Sequence, residues 1–431
     1  MKRAHLVGIG GVGMSALAQA MSARGWLVTG SDRDLDQRGG TALLDRLRAA
    51  GLKLYPQDGT GVREGAEYVV VSTAIESDNP DIQAARSKGV TLIHRAAMLA
   101  ELMDGETSVA VTGTSGKSTV TGMIGVILEQ LGADPMVVNG AAVLNWATET
   151  RIGNVRLGRG PWIFEADESD RSLMSYRPDW AVVTNISRDH FQEEEARALF
   201  DRFRQRVRRA TIGPLDLSEV RDLRLAAHGC RFRWRDQEVA LAVPGVHNVE
   251  NAIHALSLGV AMGWPLPEAA RALTSFRGIE RRLQWVGTFR GMAIVDDYAH
   301  NPAKIAAAWE TVRPYYRRVL AVWRPHGFGP LAAMKDALSD LFPALCRPED
   351  RLFLLPPYYA GGTVARTVTS EELAERLSAR GVAVSVVPDY VTLERELQAL
   401  AEPEAVALIM GARDPDLPLF CRRLAAAGAQ R

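Results

Sequence analysis

Apolar residues along this chain fall mostly in short β-branched runs, and between the runs lie stretches where apolar positions recur every three or four residues. The runs predict strands, the stretches predict amphipathic helices, and their alternation predicts parallel sheets covered by helices. The pattern comes in three blocks. The first holds the strands HLVGI, WLVTGSD, YVVVST and TLIHR, with helical MSALAQAMSARG and TALLDRLRAAG between them, and it closes near LAELMDGE. The second runs from SVAVTG through WIFEADES and WAVVTNI to the helix NVENAIHALSLGVAMG. The third begins after ERRLQWVG with MAIVDDYA and cycles through RRVLAVW, RLFLLPP, VAVSVVP and AVALIMG, each followed by a helical pattern. Residues 191–243 fit least well: EEEARALFDRFRQRVRRA predicts a charged helix, and the segment after it reads as irregular.

Length and composition narrow the class. A chain of 431 residues that is 47% hydrophobic divides into two to four domains. Lys and Arg together number 51, as do Asp and Glu, so no overall field favours nucleic acid or an anionic membrane. Three widely spaced cysteines, Cys230, Cys346 and Cys421, argue against a disulfide framework and against a zinc site. No run approaches the roughly 18 apolar residues of a membrane span, and the amino terminus lacks a signal-peptide pattern. The expectation is a cytoplasmic protein with no nucleic-acid or membrane partner.

Two glycine-rich turns, each between a strand and a helix, carry the chemistry. Gly8, Gly10 and Gly13 have G-x-G-x-x-G spacing, with Asp32 at the end of the next strand. Such a turn brings backbone close to a phosphate at a helix N-terminus, and the carboxylate can accept from a ribose or a base, so any nucleotide diphosphate satisfies it. A tight turn without a ligand is the bland alternative. In the second turn Gly113 and Gly116 bracket a loop followed by Lys117, Ser118 and Thr119. Backbone N–H groups there can cradle phosphates while the lysine reaches the terminal ones, and Ser118 is placed to ligate magnesium. Val111 stands where the usual P-loop has its first glycine, which marks a subclass of that loop.

Further candidates lie at strand ends, which share a crevice in an open parallel sheet. Glu165, Asp167, Glu168, Asp189 and His190 can converge on the metal of the second turn, although magnesium prefers oxygen and a histidine at a strand end more often serves as a structural hydrogen-bonding group. Asn248 and Asn251 share a helical face and suit an adenine or a phosphate linker, unless Asn248 is simply an N-cap. Arg281 and Arg282 can neutralise phosphate, and Asp296, Asp297 and His300 end the first strand of the third block.

Taken together, TGTSGKST, EADESD, TNISRDH, HNVEN and DDYAHNP resemble the signatures of the Mur ligase family, the ATP-dependent amide-forming enzymes of peptidoglycan precursor synthesis. The resemblance covers nearly the whole chain. It implies an α/β protein of three domains: an N-terminal Rossmann-like domain for the UDP substrate over 1–105, a central P-loop ATPase domain over 106–284, and a C-terminal Rossmann-like domain over 285–431 that closes over ATP and binds the amine. It implies ATP bound by Gly113, Thr114, Ser115, Gly116, Lys117, Ser118, Thr119, Asn248, Asn251, Arg282, Asp297 and His300, with magnesium held by Ser118, Glu165 and His190. Lys117, Glu165, His190 and Arg282 would be the catalytic set.

Within the family, GIGGVGMSALA, GSD, STAIESDNPDI and HRAAMLAELM resemble the branch that adds L-alanine to UDP-N-acetylmuramate through an acyl phosphate, as a monomer or homodimer. Gly10, Gly11, Val12, Gly13, Met14, Ser31, Asp32, Ser72, Thr73 and His326 would then contact the substrates. The chain departs from that branch at PHGFGPL, where two arginines expected near the amino-acid carboxylate are replaced, at SGKS, which stands for HGKT, and in a shorter stretch after His190. A paralogous ligase with another amine or acid, a nucleotide-binding protein without catalysis, and an NAD-dependent oxidoreductase are the competing readings; the last leaves Lys117 and its hydroxyls unexplained.

Overall fold

The computed structural model describes residues 2–186, 193–359 and 368–429. The chain forms two compact units, the second comprising residues 281–431 with the short stretches 225–229 and 243–245, and the first comprising the rest.

The first unit carries two parallel sheets. Strands β1 (Arg3–Val7), β2 (Leu27–Ser31), β3 (Lys53–Tyr55), β4 (Tyr68–Val71) and β5 (Thr91–His94) lie in the order β3-β2-β1-β4-β5, all parallel. Strand order reverses beside β1, so a crevice opens past the carboxyl ends of β1 and β4, where the chain enters Gly8–Gly13 and Ser72–Thr73. The second sheet contains β6 (Ser108–Thr112), β7 (Met136–Val138), β8 (Val155–Arg156), β9 (Trp162–Glu165), β10 (Trp180–Val183) and β11 (Ala210–Ile212) in the order β11-β10-β6-β9-β7-β8, with only β8 antiparallel to its neighbour. Here β6 has β9 on one side and β10 on the other, so the second glycine loop also leaves from a switch point. All five residues of β6 are buried, as a central strand covered on both faces requires. Trp162 and Phe164 of β9 are fully buried beside it, each worth roughly 1.5–3 kcal/mol or more of apolar burial.

The charged helix forms over Glu193–Arg204. The segment beyond it, expected to be irregular, instead contains a three-stranded sheet of β12 (Val220–Ala226), β13 (Gly229–Trp234) and β14 (Gln237–Leu241). Cys230, Phe232 and Trp234 are buried while Arg231 and Arg233 are exposed, the period-2 alternation of a strand with one wet face. The turn joining β13 to β14 is Arg235–Asp236, with φ of 46° and 61°. Left-handed pairs of this kind are usually Asn-Gly or Gly-Gly, so the hairpin carries no turn signal in the sequence.

The second unit has one sheet of β15 (Gln284–Phe289), β16 (Met292–Asp297), β17 (Arg318–Arg324), β18 (Arg351–Leu354), β19 (Val384–Val386) and β20 (Ala405–Gly411), ordered β15-β16-β20-β17-β18-β19. It is parallel except for β15, an antiparallel edge strand that precedes the expected first strand and interrupts its own alternation with a register shift between Trp285 and Gly287. Among the described residues no helix is long and apolar enough to cross a membrane.

Candidate active site

The loop between β6 and the helix Lys117–Gln130 is shaped by its neighbours. Gly113 and Gly116 have φ of 125° and 84°, a region L-residues avoid, and a Cβ on either would run into Thr184 Oγ1 or Asn251 Oδ1. Thr184, just past β10, donates its hydroxyl to Ser115 O at 2.6 Å. Asn185 donates to the same carbonyl at 3.1 Å, accepts Ser115 N on Oδ1 at 3.0 Å, and accepts Thr114 N on its carbonyl at 3.1 Å. The motif TNISRDH contains this polar pair, but the sequence does not single out either residue as a brace for the glycine loop. Asn248 lies inside the helix Val246–Ala261 and is not its cap. It accepts Asn251 Nδ2 at 3.2 Å, both side chains are buried, and Asn251 braces the loop at Gly116.

Lys117 Nζ donates to Gly113 O at 2.8 Å and to both carboxylate oxygens of Glu168, at 2.8 and 3.1 Å. Burial alone would lower the ammonium's pKa, but Glu168, Glu165 and Asp167 outweigh it and hold Lys117 above its ordinary value, fully charged. Ser118 Oγ donates to Glu165 at 3.0 and 3.2 Å, and Glu165 also accepts Gly140 N at 2.7 Å. Thr119 sits half-buried in the same helical turn. Ser118 and Glu165 thus present hard oxygen donors that already face one another, a set that suits magnesium. His190 and Asp189 lie outside the described residues. Among the described residues no three of His, Cys, Asp or Glu gather as a metal cage.

The first turn is held from behind. Gly8 N and Ile9 N donate to Ser31 O at 2.9 Å, and Gly10 N donates to Asp32 Oδ2 at 2.8 Å, so close that a Cβ on Gly10 would also lie 2.8 Å from that oxygen. Asp32 Oδ1 caps the next helix through Asp34 N at 3.0 Å, and burial lifts its carboxyl above the usual range. Ser31 Oγ donates to the buried Asp81. Ser31 and Asp32 thus hold the turn in place from behind.

What the turn presents is an open cavity of about 360 Å³. One wall is Gly11, Val12, Gly13 and Met14 with Ser72 and Thr73; the other is Asn139, Gly140, Glu165 and Asp167. Gly10, Ser31 and Asp32 are not among its walls. Arg95, which the sequence motifs do not single out, also lines it, 3.9 Å from Asp167 and 3.8 Å from Asp170. Its position at the end of β5, on the ligand-binding edge, was the available clue.

The second unit gathers the remaining candidates. Arg281 is 3.2 Å from Asp296 and donates to Gly411 O at 2.6 Å, while Arg282 is exposed with its guanidinium 5.3 Å from the Tyr298 ring. Asp297 accepts Leu283 N and Ala299 N, both at 2.7 Å, and its burial raises the carboxyl's pKa against the pull of Arg282 and those amides. It organises the loops on either side of the strand pair. The His300 and His326 rings are 5.0 Å apart, and burial, reinforced by His300, Arg413 and Lys304, lowers His326 to about 4, so this imidazole is neutral at pH 7. Arg324 is taken by Asp414 and Tyr390, whereas Arg413 is exposed.

Comparison with known proteins adds to this geometry. Family models match residues 3–107 (Mur ligase family, catalytic domain), 111–198 (Mur ligase middle domain) and 281–413 (Mur ligase, glutamate ligase domain). The chain is 34% identical to a UDP-N-acetylmuramate–L-alanine ligase of Acidithiobacillus ferrooxidans over 96% of this chain and 95% of that one, and 33% identical to the enzyme of the same name from Gloeobacter violaceus over 95% and 92%. In fold it is similar to the UDP-N-acetylmuramate–alanine ligase of Thermotoga maritima, with a TM-score of 0.81 at 24% identity over the whole of both chains. It is also similar to a murein peptide ligase of Psychrobacter arcticus, with a TM-score of 0.65 at 20% identity over 100% and 99%.

Proposed function

We propose that this chain, which belongs to the Mur ligase family, joins L-alanine to UDP-N-acetylmuramate in the cytoplasm, converting ATP to ADP and phosphate. The observation that carries the reading is the single cavity bounded by the first glycine turn on one side and by Glu165 and Gly140, next to the P-loop, on the other. A sugar nucleotide held by its diphosphate at the turn reaches across that cavity to the groups that would hold ATP. On this reading residues 1–105 bind the sugar nucleotide, 106–284 bind ATP and 285–431 supply the amine-side groups.

The chemistry is two displacements. A carboxylate oxygen of the sugar attacks the γ-phosphorus, the bond to the bridging oxygen breaks, and ADP departs. The amine then attacks the acyl carbon, phosphate departs with the C–O electrons, and the nitrogen gives its proton to solvent. Such phosphoryl transfer depends on positioning and charge neutralisation. Lys117 would exchange Glu168 for phosphate oxygens, the loop amides after Gly116 would cradle the phosphates at the helix N-terminus, and Arg282 would add positive charge. Ser118 and Glu165, with His190, would hold magnesium, which neutralises phosphate charge when bound.

The test is ATP turnover with UDP-N-acetylmuramate against a panel of amino acids, with the product weighed. Turnover with L-alanine and a product heavier by one alanine residue supports the proposal; absence of turnover with any free amino acid defeats it. One observation favours a paralogous ligase with another amine: PHGFGPL has no arginine, and among the described residues Arg324 is engaged by Asp414 while Arg413 is exposed at that strand edge. Use of a peptide amine in place of L-alanine would establish that alternative.

A further inference from the structure

The first sheet has a second hollow, of about 160 Å³, at the opposite end from the glycine turn. Its walls include Arg3, Leu27 and Lys53, which open β1, β2 and β3. Register sets Arg3 beside Leu27, His5 beside Thr29 and Thr29 beside Lys53, so these residues and Tyr55 share one face of the sheet, covered by the loop through Gly61 and Arg63. Three of the wall residues, Arg3, Lys53 and Arg63, are cations and none is a carboxylate.

None of the three makes an ion pair among the described residues. Other arginines of this unit do, as Arg24 does with Glu106 and Arg156 with Glu129. The Arg63 guanidinium lies 5.0 Å from the Tyr55 ring. Below them His5 is 1% exposed, with Nδ1 2.9 Å from Thr29 Oγ1 and Nε2 3.5 Å from the fully buried Asp81. Asp81 is fixed in turn by Ser31 and by Gly59 N at 2.8 Å, so the floor is rigid. A Cβ at Gly61 would stand 2.5 Å from His5 Cε1 and 3.0 Å from Tyr55 Cβ, so the hollow persists because that position carries no side chain.

We propose that this hollow binds a small phosphate-bearing anion, at a site separate from both nucleotide loops. Arg3, Lys53 and Arg63 are exposed at the rim of one hollow without a carboxylate among its walls, and a dianion there would balance their charge while accepting charge-assisted hydrogen bonds. A cavity near 150 Å³ admits a ligand the size of benzene, so a phosphate with part of a carbon skeleton fits. The floor's network reaches Ser31, whose carbonyl holds Gly8 and Ile9, so both ends of the sheet share one rigid element.

The experiment is calorimetric titration of inorganic phosphate and, separately, ribose 5-phosphate into the full chain carrying Lys117→Ala, which weakens the P-loop as a rival anion site. Saturable binding that K53Q or R63Q weakens about tenfold or more, and that rising salt weakens further, supports the proposal. Gly61→Val, which fills the hollow, should abolish it, and K53Q in the otherwise native chain should leave ligase turnover unchanged. Equal affinity for the two probes identifies a free-phosphate site; tighter binding of ribose 5-phosphate identifies an organic phosphate. No saturable heat with either probe, or heat indifferent to K53Q and R63Q, overturns the proposal.

Discussion

The two glycine turns of the first unit look alike in sequence and are built on opposite principles. Each leaves the central strand of a parallel sheet at a switch point, and each carries a carboxylate beside it, Asp32 at the first and Glu168 at the second. Asp32 is bonded to the backbone amides of Gly10 and Asp34, so removing it loosens the turn at the backbone. Glu168 is bonded to a side chain, Lys117, which can swing from it to another anion without any backbone change. The first turn is therefore a fixed surface. The second is a charge held in reserve: Glu168 occupies the lysine as a phosphate oxygen would, and this keeps an otherwise buried ammonium ionised. A glycine-rich turn does not reveal its job through the glycines; the partner of the nearby carboxylate does.

The strongest test of that contrast is Lys117→Ala. It should lower turnover by about 10²–10³-fold or more, since a charge donor to the transferring phosphoryl group is lost. It also strands Glu168 in a buried place, at a cost to stability of about 3–5 kcal/mol. Adding Glu168→Gln should recover much of that stability, measured by denaturant titration, and none of the turnover. Recovery of turnover as well would mean that Lys117 is only a structural partner of Glu168.

Next in size is Glu165→Ala. Losing this carboxylate should lower turnover by more than the roughly 10–100-fold that loss of an outer partner costs a metal site, with part of the rate regained at raised magnesium. An unchanged rate at low magnesium would reduce the Ser118–Glu165 contact to a loop brace.

Which parts of this arrangement the sequence discloses follows from what burial does to sequence. Central strands covered on both faces, such as SVAVT, must be continuously apolar, so they and the glycine loops after them stand out. The carboxylates of EADESD are visible as a group, but their division of labour is not: Glu165 goes to Ser118 and Glu168 to Lys117 because of the path of the chain after β9, which no spacing rule specifies. Thr184, Asn185 and Arg95 support the loops through contacts 69 to 72 residues distant in sequence, and a polar residue at a strand end marks the ligand-binding edge without naming its partner. The hairpin of β13 and β14 escapes because Arg235 and Asp236 adopt left-handed conformations that the sequence gives no glycine to announce. The edge strand β15 escapes because its bulge at Gly287 breaks the alternation.

A smaller effect is expected at the first turn. Asp32→Ala leaves Gly10 N and Asp34 N without their acceptor, at about 1–3 kcal/mol for a buried group left unpaired. Because Asp32 positions the turn without lining the cavity, the Michaelis constant for the sugar nucleotide should rise roughly tenfold while that for ATP stays within about twofold. An equal rise for both substrates would remove the independence of the two turns.

The finest test uses pH and asks whether the fixed carboxylate of the first turn and the exchangeable ammonium of the second titrate apart. Burial holds the Asp32 pKa above its ordinary value, whereas Lys117 is held above its own and stays charged throughout the acid range. As pH falls from 7 toward the upper edge of the carboxylate range, Asp32 takes up a proton before an exposed carboxyl would, and the amides of Gly10 and Asp34 lose a charged acceptor. The sign for folding is the opposite of a loss. A raised folded-state pKa means that the folded chain binds this proton before the unfolded chain does, so protonation of Asp32 favours the fold as pH falls through that window. Sugar-nucleotide affinity should therefore weaken on acidification while the melting temperature shows no decline attributable to this group. ATP affinity, set by a lysine that does not titrate, should hold to a lower pH. Asp32→Asn, which cannot titrate, should flatten the sugar-nucleotide profile and leave the ATP profile as it was. Parallel profiles for the two substrates, unchanged by Asp32→Asn, would show that the carboxylate at the first turn has no separate electrostatic role.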